Sequence, residues 1–214
     1  MQNCSIHESS GVFKYHCSGV HLIGMDQHVL SGMYGIAIVD PANGYKKLMV
    51  EKTSGSGELD RQFYDADALE FQLQFNQLYL NEDGNYDAGA MFQHHNSATV
   101  VNGIQFGYVP NMLHNILLKG DANKNIFVAQ PLNGLELENM QSQLLYVEND
   151  QHVRLFAENN GNEHVYFHIV GEILDRVTQG NRVQSAGTEK WMLGGYKNMN
   201  VDVVFHEPGV NELV

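Results

Sequence analysis

Short apolar or alternating runs, separated by turns rich in glycine, asparagine and aspartate, recur along the chain, and no stretch sustains a helical period. The runs are Gly11–Tyr15, Tyr34–Val39, Lys47–Glu51, Glu70–Tyr79, Thr99–Val101, Ile126–Ala129, Leu144–Val147, His152–Ala157, His164–Val170 and Val201–Phe205. Side chains alternate between faces along a strand, so many short strands punctuated by turns predict an all-β chain of packed sandwiches. Turn chemistry agrees at Asn81–Gly84, Pro131–Gly134 and Glu158–Gly161. The pattern leaves room for short helical turns only at Leu135–Gln143 and Glu172–Val177. Lys52–Gly57 is small, polar and glycine-rich between two apolar runs, and reads as a linker. The expected organisation is residues 1–53, a linker over 54–62, and residues 63–214. The first part is too short to make a stable sandwich alone.

Charge narrows the partners. With 25 acidic and 12 basic side chains the chain carries −13, which argues against a nucleic-acid groove or an anionic membrane surface. No apolar run approaches the roughly 20 residues that a spanning helix requires. Met1–Ser10 show no basic and then apolar leader pattern, so no signal peptide is expected there. Two cysteines exclude a disulfide scaffold, whereas 11 histidines and nine methionines raise the question of a metal.

Tyr15–Asp40 answers that question best. Cys17 is followed after ten residues by His28 and after four more by Met33. A thiolate, an imidazole and a thioether on one short loop form the donor set of a mononuclear copper electron-transfer site. His16 precedes Cys17 on an expected strand, so it faces the opposite side. A second metal held by His16 would be joined to the first through one peptide link. Each of these residues alone reads as an ordinary buried or solvated side chain; the joint spacing carries the metal reading. A zinc site from Cys4, His7, His16 and Cys17 has suitable ligand types but poor spacing.

The segment resembles the copper-containing nitrite reductases, two-domain cupredoxin enzymes of the multicopper oxidase superfamily. Their strand ending Tyr-His-Cys and loop ending His-Val-x-Ser-Gly-Met-x-Gly match Tyr15-His16-Cys17 and His28 to Gly35. Leu69–Asp87, Thr99–Gly103 and Phe167–Val177 are similar to further segments of that family. The resemblance implies a Greek-key cupredoxin-like fold with the first domain incomplete. It implies Cys17, His28 and Met33 as type 1 copper ligands, His16 as a type 2 copper ligand, and His168 as the catalytic histidine relaying a proton to nitrite. It further implies reduction of nitrite to nitric oxide, a small redox protein as electron donor, a homotrimer and a periplasmic or extracellular setting. The family's His-x-x-Asp-x-His motif is not found here, and its last type 2 ligand would fall beyond Val214. The expectation is therefore a stretch of a longer enzyme, inactive by itself. Laccase-like oxidases need histidine on both sides of the cysteine, and Ser18 follows Cys17. A one-copper electron carrier would need neither His16 nor the long second part, and a metal-free sandwich is the remaining alternative. His164 shares a strand face with His168 and is expected at the surface.

Overall fold

The structure is a computed structural model, and it describes residues 10–19, 24–105, 124–128, 130–131, 144–206, 211 and 213. In chain order the first elements are β1 (Gly11–His16), α1 (Gly24–Leu30), β2 (Tyr34–Val39), β3 (Leu48–Thr53), β4 (Leu59–Tyr64) and β5 (Leu69–Leu78). Next come α2 (Ala88–Phe92), β6 (Ala98–Val101), β7 (Ile104–Gln105), β8 (Lys124–Val128), β9 (Gln130–Pro131), β10 (Leu144–Glu148) and β11 (His152–Asn159). The last are β12 (Val165–His168), β13 (Arg176–Gln179), β14 (Arg182–Ser185), β15 (Lys190–Leu193) and β16 (Asn198–Val204).

One large sheet organises the molecule, in the order β14-β13-β16-β11-β5-β6-β7, with β9 also on β5. β5 and β11 pair in parallel, Leu69 opposite Val153, although 73 residues lie between the end of β5 at Leu78 and the start of β11 at His152. One face of this sheet is apolar. Phe71, Leu73 and Phe75 of β5, Val153, Leu155 and Ala157 of β11, and Met199, Val201 and Val203 of β16 pack on Phe167, Ile169 and Leu193 from the β12–β15 pair. Burial of this many large apolar side chains is the main stabilising term.

The opposite face is also covered, by the β1–β2 hairpin, residues 40–47 and the β3–β4 hairpin. All eight residues of β11 are therefore buried, including Arg154 and Glu158. Leu48 and Val50 close on Val204 there. A charged network fills the middle. Arg154 donates to Asp202 Oδ1 at 3.2 Å, to Glu70 Oε1 at 2.7 Å and to the Ala66 carbonyl at 3.0 Å, with the Tyr45 ring centroid 3.6 Å from its guanidinium carbon. Asp202 also meets His152 Nε2 at 2.8 Å and Arg176 Nε at 2.9 Å.

Two expectations change. The segment 54–62 is not a tether: Ser54 N–H donates to the Glu58 carbonyl at 2.8 Å, Ser54 Oγ accepts from Glu58 N–H, and β4 then pairs with β3 from Leu59 onward. Ser54 and a left-handed Gly57 (φ +82) make it a hairpin turn, because the small polar residues that suit linkers also suit tight turns. Glu172–Val177 is extended rather than helical, bridged at Leu174 to Thr188 and entering β13. Burying Leu174 and Val177 in the sandwich overrides the weak helical pattern. Leu135–Gln143 lies outside the described residues. Among the described residues no helix is long and apolar enough to cross a membrane.

Candidate metal centre

The β1–β2 ladder runs from Gly11↔Val39 to His16↔Tyr34, and Cys17 N–H continues it by donating to the Met33 carbonyl at 3.0 Å. Between them lies α1, absent from the sequence expectations. Asp26 sits in its first turn, where a carboxylate favours the helix, and Val29 and Leu30 are buried.

The end of α1 explains the spacing of the motif. Gly32 is left-handed (φ +101), its N–H donates to the Val29 carbonyl at 2.9 Å, and Met33 N–H donates to the His28 carbonyl at 2.9 Å. This is a Schellman cap, whose closing bond joins residues five apart. His28 and Met33 are therefore held together by the cap, and Met33 is held to Cys17 by the strand ladder. Replacing Gly32 with alanine meets no neighbouring atom within 4 Å, so only backbone strain opposes it. The expected loss is about 1–2 kcal/mol, read by urea denaturation.

Side chains follow the backbone. Cys17 Sγ lies 3.1 Å from His28 Nδ1, both half-buried, and Cys17 is a free thiol. Met33 is 55% exposed. Sulfur, imidazole and thioether donors so linked fit copper in type. His16 is exposed at the end of β1, and its Nδ1 lies 2.7 Å from the Cys17 carbonyl. A carbonyl only accepts, so Nδ1 carries the hydrogen and Nε2 keeps its lone pair, as metal-binding histidines often arrange.

His168 ends β12, half-buried and opposite Lys190. Tyr166, Val170 and Met192 stand exposed around it, with Ile173 just beyond. His164 is exposed beside the Tyr166 ring, as expected. Among the described residues no three His, Cys, Asp or Glu side chains gather as a metal-binding group. Cys4, His7, His21 and His114 lie outside the described residues. His152, unassigned from sequence, is a buried member of the Asp202 network.

The sequence reading missed the groups beneath this centre. Lys14 Nζ lies 3.9 Å from the buried Glu158 Oε1. Burial pushes the Lys14 ammonium down and the Glu158 carboxyl up from their ordinary values, each opposed by the other's charge. Asn76 Nδ2 donates to the Leu30 carbonyl at 3.0 Å, and Tyr196 O–H donates to Asp26 Oδ1 at 3.0 Å. The one signal in the sequence was a lysine inside the apolar run Gly11–Tyr15.

Paired β layers with a cysteine-bearing hairpin at one edge make this an all-β, cupredoxin-like fold. Its structural neighbours are copper oxidoreductases. A copper nitrite reductase from Nitrosomonas europaea matches with a TM-score of 0.62 and 26% identity over 96% of this chain and 56% of that one. A Cu-containing nitrite reductase from Thermus scotoductus matches at 0.58 and 17% identity, over 94% and 36%. A blue copper oxidase from Nitrosomonas europaea matches at 0.54 and 15%, over 94% and 47%. The chain thus spans about a third to a little over half of these proteins. No protein-family model and no curated protein sequence matches it.

Proposed function

We propose that this chain forms part of a copper-dependent nitrite reductase, reducing nitrite to nitric oxide with one electron and two protons, water leaving. The observation that carries the reading is the approach of Cys17 Sγ to His28 Nδ1, with Met33 tied by backbone bonds to both residues. Residues 1–53 are then the end of a first cupredoxin unit and 63–214 a second one, joined through the β3–β4 hairpin.

Bound copper would supply one-electron transfer at the first site and a Lewis acid for a nitrite oxygen at the second. Cys17, His28 and Met33 would hold the type 1 ion, and His16 Nε2 would face the type 2 ion. The peptide link from Cys17 to His16 would join the two sites by the shortest covalent route. His168 would hold a proton for a nitrite oxygen, a role that suits an imidazole. The exposed apolar residues around His168 fit burial against another copy, which supports a trimer. Exposed Tyr15 and Met33 beside the first site suit a small redox protein as donor. A periplasmic or extracellular setting belongs to the same reading. The neighbouring blue copper oxidase supports the fold but not a trinuclear cluster, because Ser18 follows Cys17.

Copper titration of the purified protein tests this. The expected result is an intense visible thiolate-to-copper band that Cys17→Ser abolishes, with nitric oxide formed from nitrite by the full-length trimer. A colourless copper-loaded protein, or a band that survives Cys17→Ser, overturns the reading.

A further inference from the structure

A fully buried carboxylate lies under the candidate metal centre, and the reaction uses it for nothing. Glu158 is 0% exposed, and neither of its side-chain oxygens has a hydrogen-bond partner among the described residues. Its ion-pair partner is Lys14, whose Nζ also donates to the Asn159 carbonyl at 2.7 Å and lies 4.9 Å from the Tyr196 ring centroid. A buried pair of this kind stabilises a fold little better than apolar side chains would, so its presence calls for another reason.

Its neighbours supply one. Lys14 is on β1, three residues before Cys17. Tyr196, under the Lys14 ammonium, holds Asp26 in α1, two residues before His28. Asn76 holds the Leu30 carbonyl at the other end of α1. The segments bearing Cys17 and His28 thus have polar anchors in one buried cluster, Met33 follows through its backbone bonds to both, and Glu158 supplies the carboxylate that reaches β1.

We infer that Glu158 is a positioning residue for the copper ligands: paired with Lys14, it fixes β1 on the sheet at the place where Tyr196 and Asn76 fix the two ends of α1. The inference rests on the functional reading above. A buried charge left without its partner is costly, so the pair penalises any seating of β1 that separates Lys14 from Glu158.

The test compares wild type with Glu158→Gln, Tyr196→Phe and Val177→Ala, using copper(II) alone as probe. Val177 is buried in the apolar core away from the cluster, so its truncation destabilises without touching the frame. The readouts are the copper dissociation constant, the position of the thiolate-to-copper band and the reduction potential, each below the melting transition. Glu158→Gln is expected to weaken copper binding by about 10- to 100-fold and to shift band and potential, as loss of an outer-shell partner does. Tyr196→Phe keeps the ring and removes one hydroxyl, so it folds in any case; it is expected to shift the same quantities less. Val177→Ala is expected to lower the melting temperature and leave band and potential at the wild-type values. A wild-type band that both Glu158→Gln and Tyr196→Phe leave unchanged, or that Val177→Ala shifts equally, overturns this inference alone. A wild-type protein without the band overturns the functional reading and this inference with it.

Discussion

Asp202→Ala is expected to cost roughly 3–5 kcal/mol, the range found when one partner is removed from a buried charge network. The carboxylate side chain is 3% exposed and answers three cationic or hydrogen-donating groups: His152, Arg154 and Arg176. Arg154 keeps Glu70 and the Ala66 carbonyl in the variant, but Arg176 loses the one ion pair it makes among the described residues. Because this network lies between the large sheet and residues 40–47, the loss loosens the contact between the two parts of the chain. The acid limb of the stability curve provides an independent check. Burial pushes the Asp202 carboxyl up, but the His152 bond and the Arg176 and Arg154 charges outweigh it and hold it below its ordinary value near 3.8. A carboxyl lowered in the folded state contributes stability that is fully present above its unfolded value and disappears as the pH falls through the folded one. Wild type is therefore expected to lose stability below about pH 4 more steeply than Asp202→Ala. Urea denaturation at pH 7 and across the acid range measures both. A loss under about 1 kcal/mol, the scale of a surface ion pair, would show the network contributes no more than exposed charges do.

How much of this was legible depended on whether a residue's partners were near in sequence. β2 was readable end to end because Tyr34–Val39 is a clean apolar run. The spacing of His28 and Met33 reads in the sequence only as a loop; the Schellman cap that ties their backbones ends α1, a helix too short to show a period. β4 was not readable: Leu59–Tyr64 is exposed over five of its six residues and has no apolar face to betray a period. α2 was missed because its start depends on one Asp87 side chain accepting from Ala90 N–H. The parallel pairing of β5 with β11 joins distant strands, and no local pattern encodes it. Arg154 and Glu158 share the face opposite Val153, Leu155 and Ala157, yet are buried because a second layer covers that face. Alternation identifies the face a side chain takes and is silent on what covers that face.

Phe167 links the stability of the second sandwich to the function proposed for its neighbour. Along β12 the side chains alternate, so Phe167 and Ile169 enter the core while Tyr166, His168 and Val170 face outward. Phe167 is 0% exposed and packs edge-on against Phe75 of β5, ring centroids 6.2 Å apart. Phe167→Ala is expected to cost about 3–5 kcal/mol, the lost transfer free energy plus that of the cavity left behind. Among the described residues the β12–β15 pair is bonded to no other strand, so its place there is set by such inward contacts rather than by a ladder. Loosening it moves the outward histidine that the proposed reaction needs for proton delivery. Phe167→Leu, which refills part of the cavity, is expected to recover more than half of the stability. In the full-length enzyme, Phe167→Ala should then lower nitrite turnover while leaving the thiolate-to-copper band of Cys17 at its wild-type position, since β1 and α1 lie on the other face of the sheet. Denaturant melts, turnover and the visible spectrum of the three proteins decide the matter. Equal stability of Phe167→Ala and wild type would mean that β12 is held from outside, and an altered Cys17 band would mean that the two faces of the sheet do not act separately.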